Sequence, residues 1–305
     1  MKTLTVRHLT HYHYQRPVGL GEHRLMFRPR DSHDLRLLGT ALEISPRADV
    51  HYYHDPFNNS IAIARFPEHA AELRLLSAFR LEHFGTQVWR YDLEPFARTY
   101  PFVYASDEFP DLMRSIERRY PDPGRKVYDW ARQFLDPSGR HDTMALLSAL
   151  NAGITRDFAY QAREEEGTQA PHRTMEKGAG TCRDFALFLM EAVSSLGLAA
   201  RFVTGYIYDP ALDGAGDDHT MSGSGSTHAW VQIYLPGAGW VEFDPTNNLI
   251  GGNNLIRVAV VRDPSQALPV TGSYDGQAED FLRLEVSVEV TTNEAAETPL
   301  IPGTH

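Results

Sequence analysis

Over its first ninety or so residues the chain turns back on itself too often for long helices. Apolar residues alternate over 2–14 around Leu4, Val6, Tyr12 and Tyr14, and Pro17 ends the run. Shorter runs follow at 37–44, 50–54, 60–66, 73–82 and 87–93, separated by turn formers such as Asp55-Pro56 and Asn58-Asn59. Short strands at this density suggest an antiparallel, sandwich-like β domain over 1–94. Side chains two apart in a strand share a face, so His11 and His13 align and His8 lies on the other side. They read as solvated or stacking histidines on a β face, and no metal is assigned to them.

The periodicity then changes. Pro95, Pro101, Pro110, Pro121 and Pro123 mark a connecting segment over 95–124. Val127, Trp130, Ala131 and Phe134 form one helical stripe, and Leu146, Leu147, Leu150 and Ile154 a second. Residues 156–160 look extended, and 162–177 form a polar, Glu-rich loop. Strands are expected at 200–208, 228–235, 240–244, 255–262 and 281–290, with a turn at 236–239. The predicted class is α+β, with a core over 125–290 and a frayed tail over 291–305. Residues 209–226 carry glycines and aspartates without the ligand spacing of an EF-hand, and read as a mobile surface loop. The loop runs directly into His228, so its Asp213, Asp217 and Asp218 would add negative charge near a cleft mouth.

Within the core, Gly178-Ala179-Gly180-Thr181-Cys182-Arg183-Asp184-Phe185 holds the only cysteine. Thr181 with Asp184 three residues on reads as a capping box, and Phe185, Leu189, Val193 and Leu196 continue at helical spacing up to Gly197. Cys182 therefore opens a helix, where unpaired N–H groups and the positive end of the dipole favour a thiolate. A buried structural cysteine is the alternative. A nucleophilic thiol needs a base, and the base an orienting acceptor. His228, near the start of one strand, and Asp244, near the end of the next, both fall at the open end of a hairpin, where diagonal neighbours are within side-chain reach.

These residues resemble a known family. Gly180-Thr181-Cys182-Arg183-Asp184-Phe185, Gly197-Leu198-Ala199-Ala200-Arg201, Val203-Thr204-Gly205-Tyr206, His228-Ala229-Trp230-Val231 and Trp240-Val241-Glu242-Phe243-Asp244-Pro245-Thr246 are similar to the transglutaminase-like core. His8-Leu9-Thr10-His11-Tyr12-His13-Tyr14 with Pro17-Val18, and Asp55-Pro56-Phe57-Asn58-Asn59, resemble the β domain that precedes that core in bacterial members. The resemblance covers roughly 1–260. It implies a papain-like core of helices packed on an antiparallel sheet, with a Cys–His–Asp triad at Cys182, His228 and Asp244. Animal crosslinking transglutaminases carry an aromatic residue after the cysteine, where this chain has Arg183. The match is thus to the bacterial branch, much of it similar to cysteine proteases, and calcium dependence and crosslinking are not carried over.

The implied chemistry is acyl transfer from a peptide or isopeptide amide through a thioester, with a protein or peptide as substrate. The Cys182 backbone N–H is a natural oxyanion donor, and Tyr160 is a candidate for the second. Hydrolysis is favoured because no amine-binding feature is visible. Transfer to an amine, as in a transglutaminase, is the first alternative, and a non-catalytic protein-binding module on the same scaffold is the second. A net charge of −11 argues against nucleic acid and gives no reason to expect an anionic membrane surface. One cysteine excludes an intramolecular disulfide and a multi-cysteine zinc site, and no cofactor is implied. Met1-Lys2-Thr3-Leu4-Thr5-Val6-Arg7-His8 lacks the apolar stretch of a signal peptide, so a cytoplasmic protein is expected.

Overall fold

A computed structural model describes residues 2–85, 91–137, 139–162, 167–210, 225–292 and the backbone of 301–302. The first strand, β1 (Lys2–Leu20), continues through Pro17, which the sequence reading took as its end. Pairing of β1 with its neighbour is interrupted between His13 and Val18, so the missing N–H of Pro17 costs no rung of the ladder. Next come β2 (His23–Leu25), β3 (Leu35–Ser45), β4 (Asp49–His54), β5 (Ser60–Arg65) and β6 (His69–His83). Strands β1, β6 and β3 lie side by side in one antiparallel sheet, and β2, β5 and β4 in another. Tyr14, Val18, Leu73 and Leu75 of the first sheet meet Leu25, Ala62 and Ala64 of the second, which makes the expected sandwich. Residues 91–93 form no strand, and the rest of the run expected at 87–93 lies outside the described residues.

The connecting segment holds a helix the sequence reading missed, α1 (Phe109–Ile116). Pro110, one of the prolines that mark the connecting segment, sits in the first turn of α1, where no N–H is needed. Helices α2 (Lys126–Arg132) and α3 (Thr143–Asp157) follow, the latter capped by the Asp142 side chain accepting the Ala145 N–H at 2.8 Å. The short strand β7 (Ala159–Tyr160) precedes α4 (Pro171–Lys177), which lies within the stretch expected to be a loop. Pro171 starts that helix and Gly178, at φ 63°, ends it. Strand β8 (Ala179–Gly180) runs parallel to β7 and leads directly into α5 (Cys182–Ser195).

Beyond α5 stand β9 (Ala200–Ile207), β10 (His228–Leu235), β11 (Gly239–Asp244) and β12 (Leu255–Val261). With Leu249–Ile250 they make a five-stranded antiparallel sheet in the order Leu249–Ile250, β11, β10, β9, β12. Helix α5 is buried nearly all round, as a helix in the middle of a core must be. Phe185, Phe188 and Leu189 join Trp130 of α2, Leu150 of α3 and Phe202, Val231 and Phe243 of the sheet in one cluster. Glu191, on the same helix, is also buried. It accepts the Arg119 N–H at 3.1 Å and faces the Arg118 guanidinium at 3.4 Å, so the connecting segment supplies its partners.

The strand over Phe281–Thr291, β13, corrects an expectation. It was grouped with the core, yet it pairs antiparallel with β1, Thr5 facing Thr291 and His11 facing Glu285. Its Val288 and Val290 bury with Val6 and Phe79, and that cluster continues into Tyr206, Ile256 and Val258 of the core sheet. The reason is apolar complementarity: the outer edge of β1 offers an unpaired ladder over a buried face, which no run inside the core needs. In the tail, Ile301–Pro302 pair with Gly39 and Thr40 of β3. Among the described residues no helix is long and apolar enough to cross a membrane.

Candidate functional site

Thr181 is the N-cap of α5, in extended conformation, and Cys182 is the first helical residue. Asp184 Oδ2 accepts the Thr181 N–H at 2.9 Å and the Thr181 hydroxyl at 3.0 Å, while Oδ1 accepts the Gln169 N–H at 2.6 Å. A buried carboxylate thus pins the turn that carries the thiol. The preceding Gly180 has no room for a side chain, since a Cβ there would lie 2.9 Å from that of Asp184. Cys182 itself is 7% exposed, so its sulfur is confined between the helix end and what faces it.

His228 faces it from the open end of the β10–β11 hairpin. Val231 pairs with Phe243, so the register carries Asp244 to a diagonal position from His228, as the sequence spacing implied. His228 Nε2 donates to Asp244 Oδ2 at 2.8 Å, with both side chains wholly buried. Burial by itself would strip the proton from the imidazole, but the Asp244 carboxylate and Cys182 outweigh it and push the His228 pKa up to about 10. Nδ1, the other ring nitrogen, is buried and makes no hydrogen bond among the described residues. The imidazole therefore carries one committed nitrogen and one spare, coupled electrostatically to the thiol.

Asp244 is itself held. Desolvation would raise its pKa, but His228, the Asn247 side chain at 2.9 Å and the Thr246 N–H at 2.9 Å lower it instead. The Thr246 contact is an Asx turn, a signal already present in Asp244-Pro245-Thr246 that the sequence reading did not use. Asn151 of α3 donates to the Asp244 carbonyl at 3.3 Å and anchors the same corner to a helix. The His228 ring also stacks on Trp230, with centroids 5.9 Å apart and planes at 26°. The Trp230 Nε1–H donates to Glu242, whose other oxygen accepts from Gln232 at 2.7 Å and Arg257 at 2.8 Å. Arg257 reaches on to Asp34 of the N-terminal region at 2.6 Å. Opposite His228 in the ladder, Gly205 is required, because a Cβ would fall 2.0 Å from the Ile256 carbonyl oxygen.

Tyr160 stands across the parallel ladder from Gly180, two residues before the cysteine, and is 45% exposed. Burial and the nearby Cys182 charge raise its pKa, so the hydroxyl keeps its proton as a donor. The structure thus brings Cys182, His228, Asp244 and Tyr160 to one place. Residues 211–224, with Asp213, Asp217 and Asp218, lie outside the described residues.

A thiol at a helix N-terminus, set against a buried imidazole–carboxylate pair on an antiparallel sheet, defines a papain-like arrangement. The chain belongs to the transglutaminase-like superfamily. Residues 4–82 match the Bacterial transglutaminase-like N-terminal region and 128–245 match the Transglutaminase-like superfamily core. The uncharacterized protein Rv2569c of Mycobacterium tuberculosis is similar at 25% identity over 93% of this chain and 91% of its own. The uncharacterized protein ML0607 of Mycobacterium leprae is similar at 36% identity over 112 residues, 37% of either chain. Among solved structures, a candidate cysteine protease from Cytophaga hutchinsonii has the same fold, with a TM-score of 0.67 at 16% identity, covering 100% of this chain and 94% of that one.

Proposed function

We propose that the chain is a thiol-dependent hydrolase that cleaves peptide or isopeptide amides through Cys182, His228 and Asp244. The observation that carries this reading is the wholly buried His228–Asp244 pair, whose spare Nδ1 is coupled to the cysteine. The Cys182 thiolate attacks the amide carbonyl and forms a C–S bond. The oxyanion of the tetrahedral species takes hydrogen bonds from the Cys182 backbone N–H and the Tyr160 hydroxyl. His228 gives its Nδ1 proton to the amine as the C–N bond breaks, which leaves a thioester and a neutral imidazole. Water then surrenders a proton to that imidazole, adds to the thioester and expels the thiolate, and the carboxylate product leaves. Asp244 holds the ring and balances the imidazolium throughout.

The test pairs turnover with thiol reactivity. A fluorogenic peptide library should be cleaved by the wild type and left intact by Cys182→Ala. Iodoacetamide should label the native thiol faster than free cysteine near neutral pH, and His228→Ala should slow that labelling. A thiol that reacts only after denaturation overturns the reading. If added primary amine is incorporated in preference to water, the acceptor is an amine and the enzyme is a transglutaminase.

A further inference from the structure

From the sequence, His11 and His13 align on one β face and read as solvated or stacking histidines. Their surroundings are more specific than that. Strand β13 places Glu285 directly opposite His11, and β6 places Glu72 directly opposite His13, so all four side chains lie on one face of three adjacent strands. One imidazole nitrogen from each histidine and a Glu285 oxygen lie within 4.8 Å of one another. The two rings sit 3.9 Å apart between centroids. His13 Nε2 is buried with no hydrogen-bond partner among the described residues, and its nearest carboxylate oxygen, on Glu285, is 3.6 Å away. Glu72 Oε2 lies 3.2 Å from His11 Nε2.

We propose that His11, His13 and Glu285, with Glu72 at the rim, form a binding site for a zinc-class divalent cation. Two imidazoles and a carboxylate are the donor set such ions prefer, whereas magnesium and calcium prefer oxygen alone. Side-chain movements of under about 1 Å would bring three donors spread over 4.8 Å to the 2.0–2.2 Å bond lengths of zinc. Two cationic groups share the face and compete. Arg283 faces His13 and donates to Glu285 Oε1 at 2.7 Å, and Arg74 faces His11 and pairs with Glu43 at 3.7 Å. The Arg283 side chain is 61% exposed, so it can yield the carboxylate and return to water. The site lies on a different sheet from His228 and Asp244, and a bound ion would tie the edge strand β13 to β1 and β6.

The experiment uses untagged, chelator-stripped protein carrying Cys182→Ala, so that the thiol cannot ligate the added metal. Calorimetry with Zn2+ should give one equivalent, and Co2+ should give a visible absorption band of a tetrahedral nitrogen–oxygen site. Zn2+ should also raise Tm. The double variant His11→Ala/His13→Ala and, separately, Glu285→Gln should each weaken Zn2+ binding tenfold or more and remove the Tm shift, with an unchanged far-UV spectrum. The chain has 14 histidines, so binding elsewhere is the competing outcome. Zn2+ affinity that survives both folded variants, or an absence of stoichiometric binding in the parent, overturns the site.

Discussion

At the scale of single residues, the proton on His228 bears on stability and, in the proposed mechanism, on activity. Its folded pKa of about 10 lies above the ordinary 6.5, so the pair's contribution to stability is complete below about pH 6.5 and is lost as the pH rises through 10. Asp244, held below its usual 3.8, contributes above that value and loses its share as the pH falls further. Denaturant midpoints of wild type and Asp244→Asn should therefore differ most between these limits and converge beyond both. Activity should follow the same group. We expect the alkaline limb of kcat/KM to fall near pH 10 in the wild type and to move toward the imidazole range in Asp244→Asn. The same substitution should lower kcat on the order of 100-fold or more, with a smaller effect on KM. A wild-type kcat in Asp244→Asn would remove Asp244 from the mechanism. The places of Cys182, His228 and Asp244 in the fold were legible in the sequence because each sits at an element boundary that local pattern defines. Which imidazole nitrogen meets the carboxylate was not, since ring orientation follows from Asn247, Thr246 and Trp230.

At the scale of elements, the site depends on two short contacts that hold backbone rather than chemistry. Asp184→Ala would leave the Thr181 and Gln169 N–H groups without their carboxylate, a loss of roughly 1–3 kcal/mol. It should lower the urea midpoint and slow alkylation of Cys182 together, because the first turn of α5 loosens. Gly205→Ala should cost toward the upper end of about 1–3 kcal/mol, since the added carbon meets the Ile256 carbonyl and the Trp230 ring. Its kcat should drop as His228 is displaced, measured on protein that remains folded below its lowered Tm. Long elements with clear periodicity, such as α3, α5 and the β10–β11 hairpin, could be read in advance. Helices α1 and α4 could not: each is eight residues or fewer, and the proline that opens each looks locally like a stop. The partner of β13 was hidden for another reason. Nothing near residues 281–291 says that their ladder lies on β1, at the other end of the chain.

At the scale of the whole molecule, one apolar cluster spans the N-terminal sheet and the core sheet, and the Asp34–Arg257–Glu242 ion pairs run beside it. The two regions should therefore melt as one. Calorimetry is expected to show a single transition, and Phe79→Ala, which empties a fully buried position in the shared cluster, should cost about 3–5 kcal/mol and lower that transition as a unit. Two separated transitions, with only the first shifted, would show that the regions are energetically independent.

The pairing of β13 with β1 also fixes an order of events during synthesis. When β6 emerges from the ribosome it can take one edge of β1, but the other edge stays open until residues 281–291 arrive. At elongation rates of about 5–20 residues per second, that wait lasts roughly 10–40 s. Throughout it the nascent chain presents a long, unpaired strand edge, which other growing chains could pair with. The completed sheet is thus among the last structures the ribosome permits, and the burden of protecting β1 until then falls on chaperones and on the speed of translation.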